Sequence, residues 1–209
     1  MSIIPLLAIS LGRRDEGPNI ELAEQIASAN NKAAVEELAT ALHTGSKKMA
    51  SDCIKVLYEV ADRKPELVAP HLDVLLKLLT SKDNRLVWGA MTAIHGITSV
   101  VPNKVHKHLN EIMLAADAGS VITKDHAVGV LTTLAADKKY QEEAIALLLA
   151  QLENAAGNQL GMYAEQIAVV LPATYKDAFI NILNIRIPSL EKDSQKSRIN
   201  KLLKKLQKN

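Results

Sequence analysis

Six histidines, one cysteine and one tryptophan are the side chains from which this 209-residue chain would have to build specialised chemistry. A transition-metal site needs several imidazoles, thiolates or carboxylates converging on one ion. The histidines at 43, 71, 95, 106, 108 and 126 are followed by Thr44, Leu72, Gly96, Lys107, Leu109 and Ala127, so none has an acidic residue next in line. His106 and His108 are two residues apart and face different sides of a helix. Cys53 has no second thiol for an intrachain disulfide or a zinc framework, and the simplest setting for it is a reducing, cytoplasmic one. Neither G-x-x-x-x-G-K nor G-x-G-x-x-G occurs, so the usual phosphate-cradling loops are missing. These features point to a protein that is not an enzyme and that takes no cofactor and no metal.

Recognition is the other chemistry available. Lys55, Tyr58, Arg85, Trp88, His95 and Asp125 form the candidate binding set. Trp, Tyr and Arg anchor interfaces because they bury large area at small entropic cost and keep a polar handle. For these six to share a surface, the segments that carry them must run side by side.

A repeat supplies that arrangement. Every thirty-seventh residue reads Cys53, Ala90, Ala127, Ala164; Val56, Ala93, Val130, Ile167; Leu57, Ile94, Leu131, Ala168; and Val60, Ile97, Leu134, Leu171, all apolar. The same step links Leu38, Leu75, Ile112, Leu149 in a preceding segment, with Val35, Leu72, Leu109, Ala146, Leu183 and Ala39, Leu76, Met113, Ala150, Ile187 beside them. Turn slots recur as Ser46, Asp83, Ser120 and Gly157, all helix N-cap types. Each unit is thus helix A, turn, helix B, turn, a period typical of stacked helical units. Predicted helices cover 3–11, 20–29, 31–43, 47–62, 66–80, 84–100, 103–116, 120–136, 139–153, 158–171, 174–187 and 194–207, and no strand pattern competes. Slots 53, 56, 57 and 60 fall on one stripe of helix B. The opposite side carries the rows Lys48, Arg85, Ile122, Gln159; Ser51, Trp88, Asp125, Met162; Lys55, Thr92, Gly129, Gln166; and Tyr58, His95, Thr132, Val169. A purely solvated face would read Lys, Glu and Gln throughout, and this one does not.

From Asn31 onward the chain resembles HEAT-type, adaptin-like helical repeats. The best unit is 66–100, where Asp83, Val87, Ala90, Ala93 and Ile94 match that spacing. The resemblance implies an all-α, right-handed α-solenoid with helix B lining the concave side. It departs where such units commonly place a basic residue: Ser51, Trp88, Asp125 and Met162 stand there, so the usual Asp–Arg ladder between repeats is missing. Such scaffolds host many unrelated roles. The leading expectation is a scaffold that holds a protein or peptide segment on the helix B face. The alternatives are an alkyl-base DNA glycosylase, with Arg85, Trp88 and Asp125 near the damaged base, and a structural subunit assembling through its end repeats. The His-Glu dipeptides that mark di-iron hydroxylases of this class do not occur.

Composition agrees with that architecture. Only 3% of residues are aromatic within a 48% hydrophobic total, so the core is small and aliphatic, suited to close helix packing. A net charge of +2 is too near balance for whole-molecule attraction to nucleic acid or membrane. Residues 1–14 are apolar but too short to span a bilayer, and are read as a capping helix rather than a poorly formed signal peptide. The expected organisation is N-terminal capping helices over 1–30, repeats over 31–190 (units near 31–64, 65–101, 102–138, 139–173 and one starting at 174), and a basic capping helix over 191–209. In that last helix, Lys192, Lys196, Arg198, Lys201, Lys204, Lys205 and Lys208 surround an apolar stripe of Ile199, Leu202, Leu203 and Leu206.

Overall fold

The structure, a computed structural model, describes residues 2–206; Lys208 and the last residue of the predicted 194–207 helix lie outside that range. The described residues are helical, with no strand. In order they form α1 (Gly17–Ser28), α2 (Lys32–Thr44), α3 (Lys47–Arg63), α4 (Pro65–Val68), α5 (Leu72–Leu78), α6 (Asn84–Ile97), α7 (Pro102–Lys107), α8 (Leu109–Ala118), α9 (Val121–Ala135), α10 (Gln141–Glu153), α11 (Gly157–Val170), α12 (Lys176–Arg186) and α13 (Asp193–Leu206). Two compact units divide the chain inside α9, the first ending at Ala127 and the second starting at Val128.

The apolar stripe of helix B goes inward as its spacing predicts. Of its sixteen slots, all are buried except Ala168 and Leu171, which are half-buried near the end of α11. Three of the four turn slots cap as expected. Ser46 Oγ accepts from the Met49 N–H, Asp83 Oδ1 from the Arg85 N–H and Ser120 Oγ from the Thr123 N–H. Gly157 instead begins α11, after Ala156. Asp83 also lies 3.3 Å from Lys47 of the preceding repeat, an ion pair made from a different slot than the one that holds Ser51 and Trp88.

Helix A is less regular than its sequence suggests. The predicted 66–80 helix breaks into α4, a 3-10 turn at Ala69–His71 and α5. Pro70 cannot donate a backbone hydrogen bond and its ring clashes with the preceding turn. The predicted 103–116 helix breaks at His108, which takes the N-cap position of α8; its Nδ1 pairs with Glu111 three residues on, at 3.1 Å. In the second unit the 37-residue step misplaces α10: Ala144, Ile145, Leu148 and Leu152 are buried, whereas Ala146 and Ala150 are exposed and Leu149 half-buried. Residues 144–150 are apolar at every position, so periodicity alone does not choose the inner face.

The predicted capping helix over 3–11 is also corrected. Only a 3-10 turn, Ile4–Leu6, forms, and Gly12 adopts φ +68°. Three backbone donors of this segment are met by side chains of α1, α2 and α3, and others by carbonyls within the segment's own turns. Ile3 N–H donates to Glu37 (3.0 Å), Ala8 N–H to Asn19 (3.0 Å) and Ile9 N–H to Asp52 (2.7 Å). A buried donor must find some acceptor, and these three acceptors lie outside the segment.

Within the first unit α3 is the central element, packed on α1, α2 and α6. Its seam with α6 is set by two glycines a heptad apart. A Cβ at Gly89 would stand 2.7 Å from Ile54 Cγ1, and one at Gly96 would stand 3.0 Å from Ala61 Cβ and 3.1 Å from its carbonyl carbon. At Gly96 the obstacle includes backbone, which cannot rotate away. Gly96→Val is therefore expected to destabilise the protein by about 1–3 kcal/mol despite removing a helical glycine, read as a lower urea midpoint at unchanged slope.

Candidate functional site

On the first unit, α3 and α6 bring four of the six candidate residues together. The Tyr58 and Trp88 rings sit 5.7 Å apart at a 47° tilt. Lys55 Nζ lies 4.8 Å from the Tyr58 ring centroid, and Arg85 Cζ lies 5.0 Å from that of Trp88, both within cation–π range. Trp88 and Tyr58 are half-buried, in tilted contact with each other. Residues 55 and 58 share a face of α3, as do 85 and 88 of α6, and the close seam sets the two rows side by side.

Lys55 differs from its expected role as an open contact residue. It is buried, at 6% exposure. Its Nζ pairs with Glu59 Oε1 at 2.7 Å and with Glu16 Oε2 at 3.0 Å. Burial disfavours the ammonium, yet Glu59, Tyr58 and Glu16 outweigh it and push the pKa upward. The charges continue in a chain. Arg63 meets Glu59 at 2.5 Å and Glu24 at 3.6 Å, while Arg85 Nη2 meets Glu16 Oε1 at 2.5 Å. Burial also works against the ionised form of Glu16, but Arg85 and Lys55 hold its carboxyl below the ordinary range.

Glu16 is the residue that sequence reading missed. It lies before α1, outside any repeat, and no spacing connects it to positions 55 and 85. The segment that carries it also borders a cleft of about 500 Å³, lined on the repeat side by Lys48, Ser51, Asp52 and Arg85 and on the other by residues from Ala8 to Glu16.

His95 belongs to a different pair. Its Nδ1 is 3.2 Å from Nδ1 of His126 on α9, with ring centroids 5.5 Å apart. The centroid separation exceeds the nitrogen separation by about two ring radii, so the rings meet head-on and share a single proton, one nitrogen donating and one accepting. Burial, reinforced by His126 and opposed by Asp62, pushes the His95 pKa down to about 4. His126 is also lowered, chiefly by burial, against the pull of Asp125. Asp125, the sixth candidate, is half-buried beside this pair. The two histidines are 31 residues apart, off the repeat period, so spacing does not reveal the pair.

On the second unit the same rows hold Gln159, Met162, Gln166 and Val169. Gln159 is buried and donates to the Tyr163 hydroxyl at 2.8 Å; Met162 and Gln166 are half-buried, and Val169 is 85% exposed. His71 is half-buried 3.8 Å from Glu36, and Cys53 is fully buried with its thiol pKa pushed up to about 12, first by burial. A thiol so held is not a nucleophile near neutral pH.

No family model matches the chain. Solved structures do match along most of its length. A computationally designed armadillo repeat protein for modular peptide recognition superposes with a TM-score of 0.68 at 16% identity, covering 90% of each chain. The fold is armadillo/HEAT-like. A designed armadillo repeat protein in complex with peptide (KR)4 gives 0.67 at 17% identity, over 88% of this chain and 85% of that one. An engineered protein gives 0.63 at 18% identity over the full length of both. The all-α solenoid of helix-pair repeats is thus shared. On the first unit of this armadillo/HEAT-like fold, the outward side of α3 and α6 carries the aromatic and charged cluster.

Two outcomes follow from this geometry. Lys55→Met, which leaves Glu16 and Glu59 short of a cation, is expected to cost about 1–3 kcal/mol in chemical denaturation, because hydrogen bonds to charged groups are lost at a buried position. For His95 the folded-state pKa of about 4 lies below the ordinary 6.5. The unfolded chain then binds the proton first as pH falls, so stability is lost between those values. The melting temperature should decline from about pH 6.5 to about pH 4, and His95→Asn should flatten that decline.

Proposed function

We propose that this protein is a non-enzymatic scaffold of the cytoplasm that holds an extended protein or peptide segment on the helix B face of its first unit. The observation that carries this reading is the Tyr58–Trp88 pair with Arg85 laid on the indole: large, pre-positioned rings, half open to solvent, on rigid helices. Anchors of that kind bind at low ordering cost. Arg85, Trp88 and Tyr58 form its centre, Lys55 holds the centre from beneath, and His95 and Asp125 extend it along α6 and α9.

The designed armadillo proteins with this fold support the reading, since one is described as made for peptide recognition and another is seen with a bound peptide. Among the described residues no group of three or more metal-binding side chains gathers, and no helix is long and apolar enough to cross a membrane. The cytoplasmic assignment rests on Cys53, a single buried thiol.

Capture of partners from a cell extract by the intact protein and by Trp88→Ala, identified by mass spectrometry, tests the proposal. The variant should lose about 30-fold or more in affinity, the equivalent of about 2 kcal/mol, while melting within a few degrees of the parent. A Trp88→Ala protein that melts far lower and still captures its partners would make Trp88 a packing residue. Tight binding to duplex DNA with a steep salt dependence would favour the glycosylase alternative.

A further inference from the structure

The chain itself seats a group on the aromatic cluster, and that group is a carboxylate. Glu16 reaches Arg85 with one oxygen and Lys55 with the other, at 2.5 and 3.0 Å, directly beside the two cation–π contacts. It comes from outside the repeats, from a segment held by hydrogen bonds such as Ile9 N–H to Asp52. Its side chain is still 45% exposed, so solvent and a competing ligand can reach it.

We infer that the partner segment is acidic, and that one of its carboxylates displaces Glu16 from Arg85 while others enter the adjoining cleft between residues 8–16 and the starts of α3 and α6. This rests on the peptide-binding reading above and specifies its chemistry.

The cleft favours negative charge. Asp15 is occupied by Arg13, at 2.7 and 2.9 Å, and by the Gly17 N–H at 3.0 Å. Asp52 accepts from Ile9, although its charge remains. Arg14 and Lys48 line the same space and have no ion pair among the described residues. A basic peptide such as the (KR)4 carried by the designed relative would meet Arg14, Lys48 and Arg85 together. An acidic one would pair with all three. Glu16 then acts as an internal competitor, and apparent affinity is reduced by the fraction of molecules in which it is seated.

Fluorescence anisotropy on the full chain, with labelled octaglutamate, labelled (KR)4 and a short DNA duplex as probes, tests this. Octaglutamate should bind in preference to (KR)4, more weakly as salt rises. Glu16→Gln should tighten octaglutamate binding about tenfold, as release of the competitor requires. Glu16→Ala should do the same, excluding an effect peculiar to the amide. Lys48→Gln and Arg14→Gln should each weaken it several-fold without changing the melting temperature. Octaglutamate affinity that is absent, or unmoved by both Glu16 variants, would overturn the proposal. Trp88-dependent binding of (KR)4 alone would overturn the acidic assignment and leave the scaffold reading standing. Binding of the duplex alone would remove both.

Discussion

A helix with one apolar stripe is not stable in water by itself, and burial of that stripe against neighbouring helices is the constraint on which this protein is built. In the first unit the constraint is tightest at α3, which is covered by α1, α2 and α6. Gly89 over Ile54 and Gly96 against Ala61 let α6 approach within the thickness of a side chain. That approach buries Ile54, Ala61, Ala90 and Ala93 almost completely. It also decides what happens on the outward side, because residues 55, 58, 85 and 88 can then touch across the two helices. The aromatic and charged cluster is a consequence of the core seam rather than a separate feature.

Two polar groups on this surface meet burial in opposite ways. Lys55 stays charged, since two carboxylates and a tyrosine face give its ammonium more than burial takes away. The His95–His126 pair stays neutral, since one imidazole facing another offers no counter-charge and a second proton would meet repulsion. The first site joins α3 to α6 and the second joins α6 to α9. One resists acid and the other yields to it, so falling pH acts first on the α6–α9 side.

Much of the architecture was legible because helical burial repeats itself in sequence. Four slots of helix B, read at a step of 37, are buried in all but two places. The reading failed where periodicity lost contrast. In α10 every residue from 144 to 150 is apolar, and the inner face was chosen by packing. In residues 3–11 the apolar run looked like a helix, but Glu37, Asn19 and Asp52 supply acceptors that a local pattern cannot foresee.

The candidate site divides along the same line. That Tyr58, Arg85 and Trp88 share one face follows from the sequence, since Arg85 and Trp88 are three apart on one helix and Trp88 fills the slot of Ser51, which lies seven residues before Tyr58 on the same side of α3. That Lys55 is buried, that His95 faces His126, and that Glu16 sits on Arg85 came only with the tertiary structure. Each depends on a partner at an irregular separation, set by where the N-terminal segment and α9 come to lie. The sequence by itself determined the stripes, the repeat and the shared face, because these are local periodicities. Which charges meet was decided by the packing of segments that no period relates.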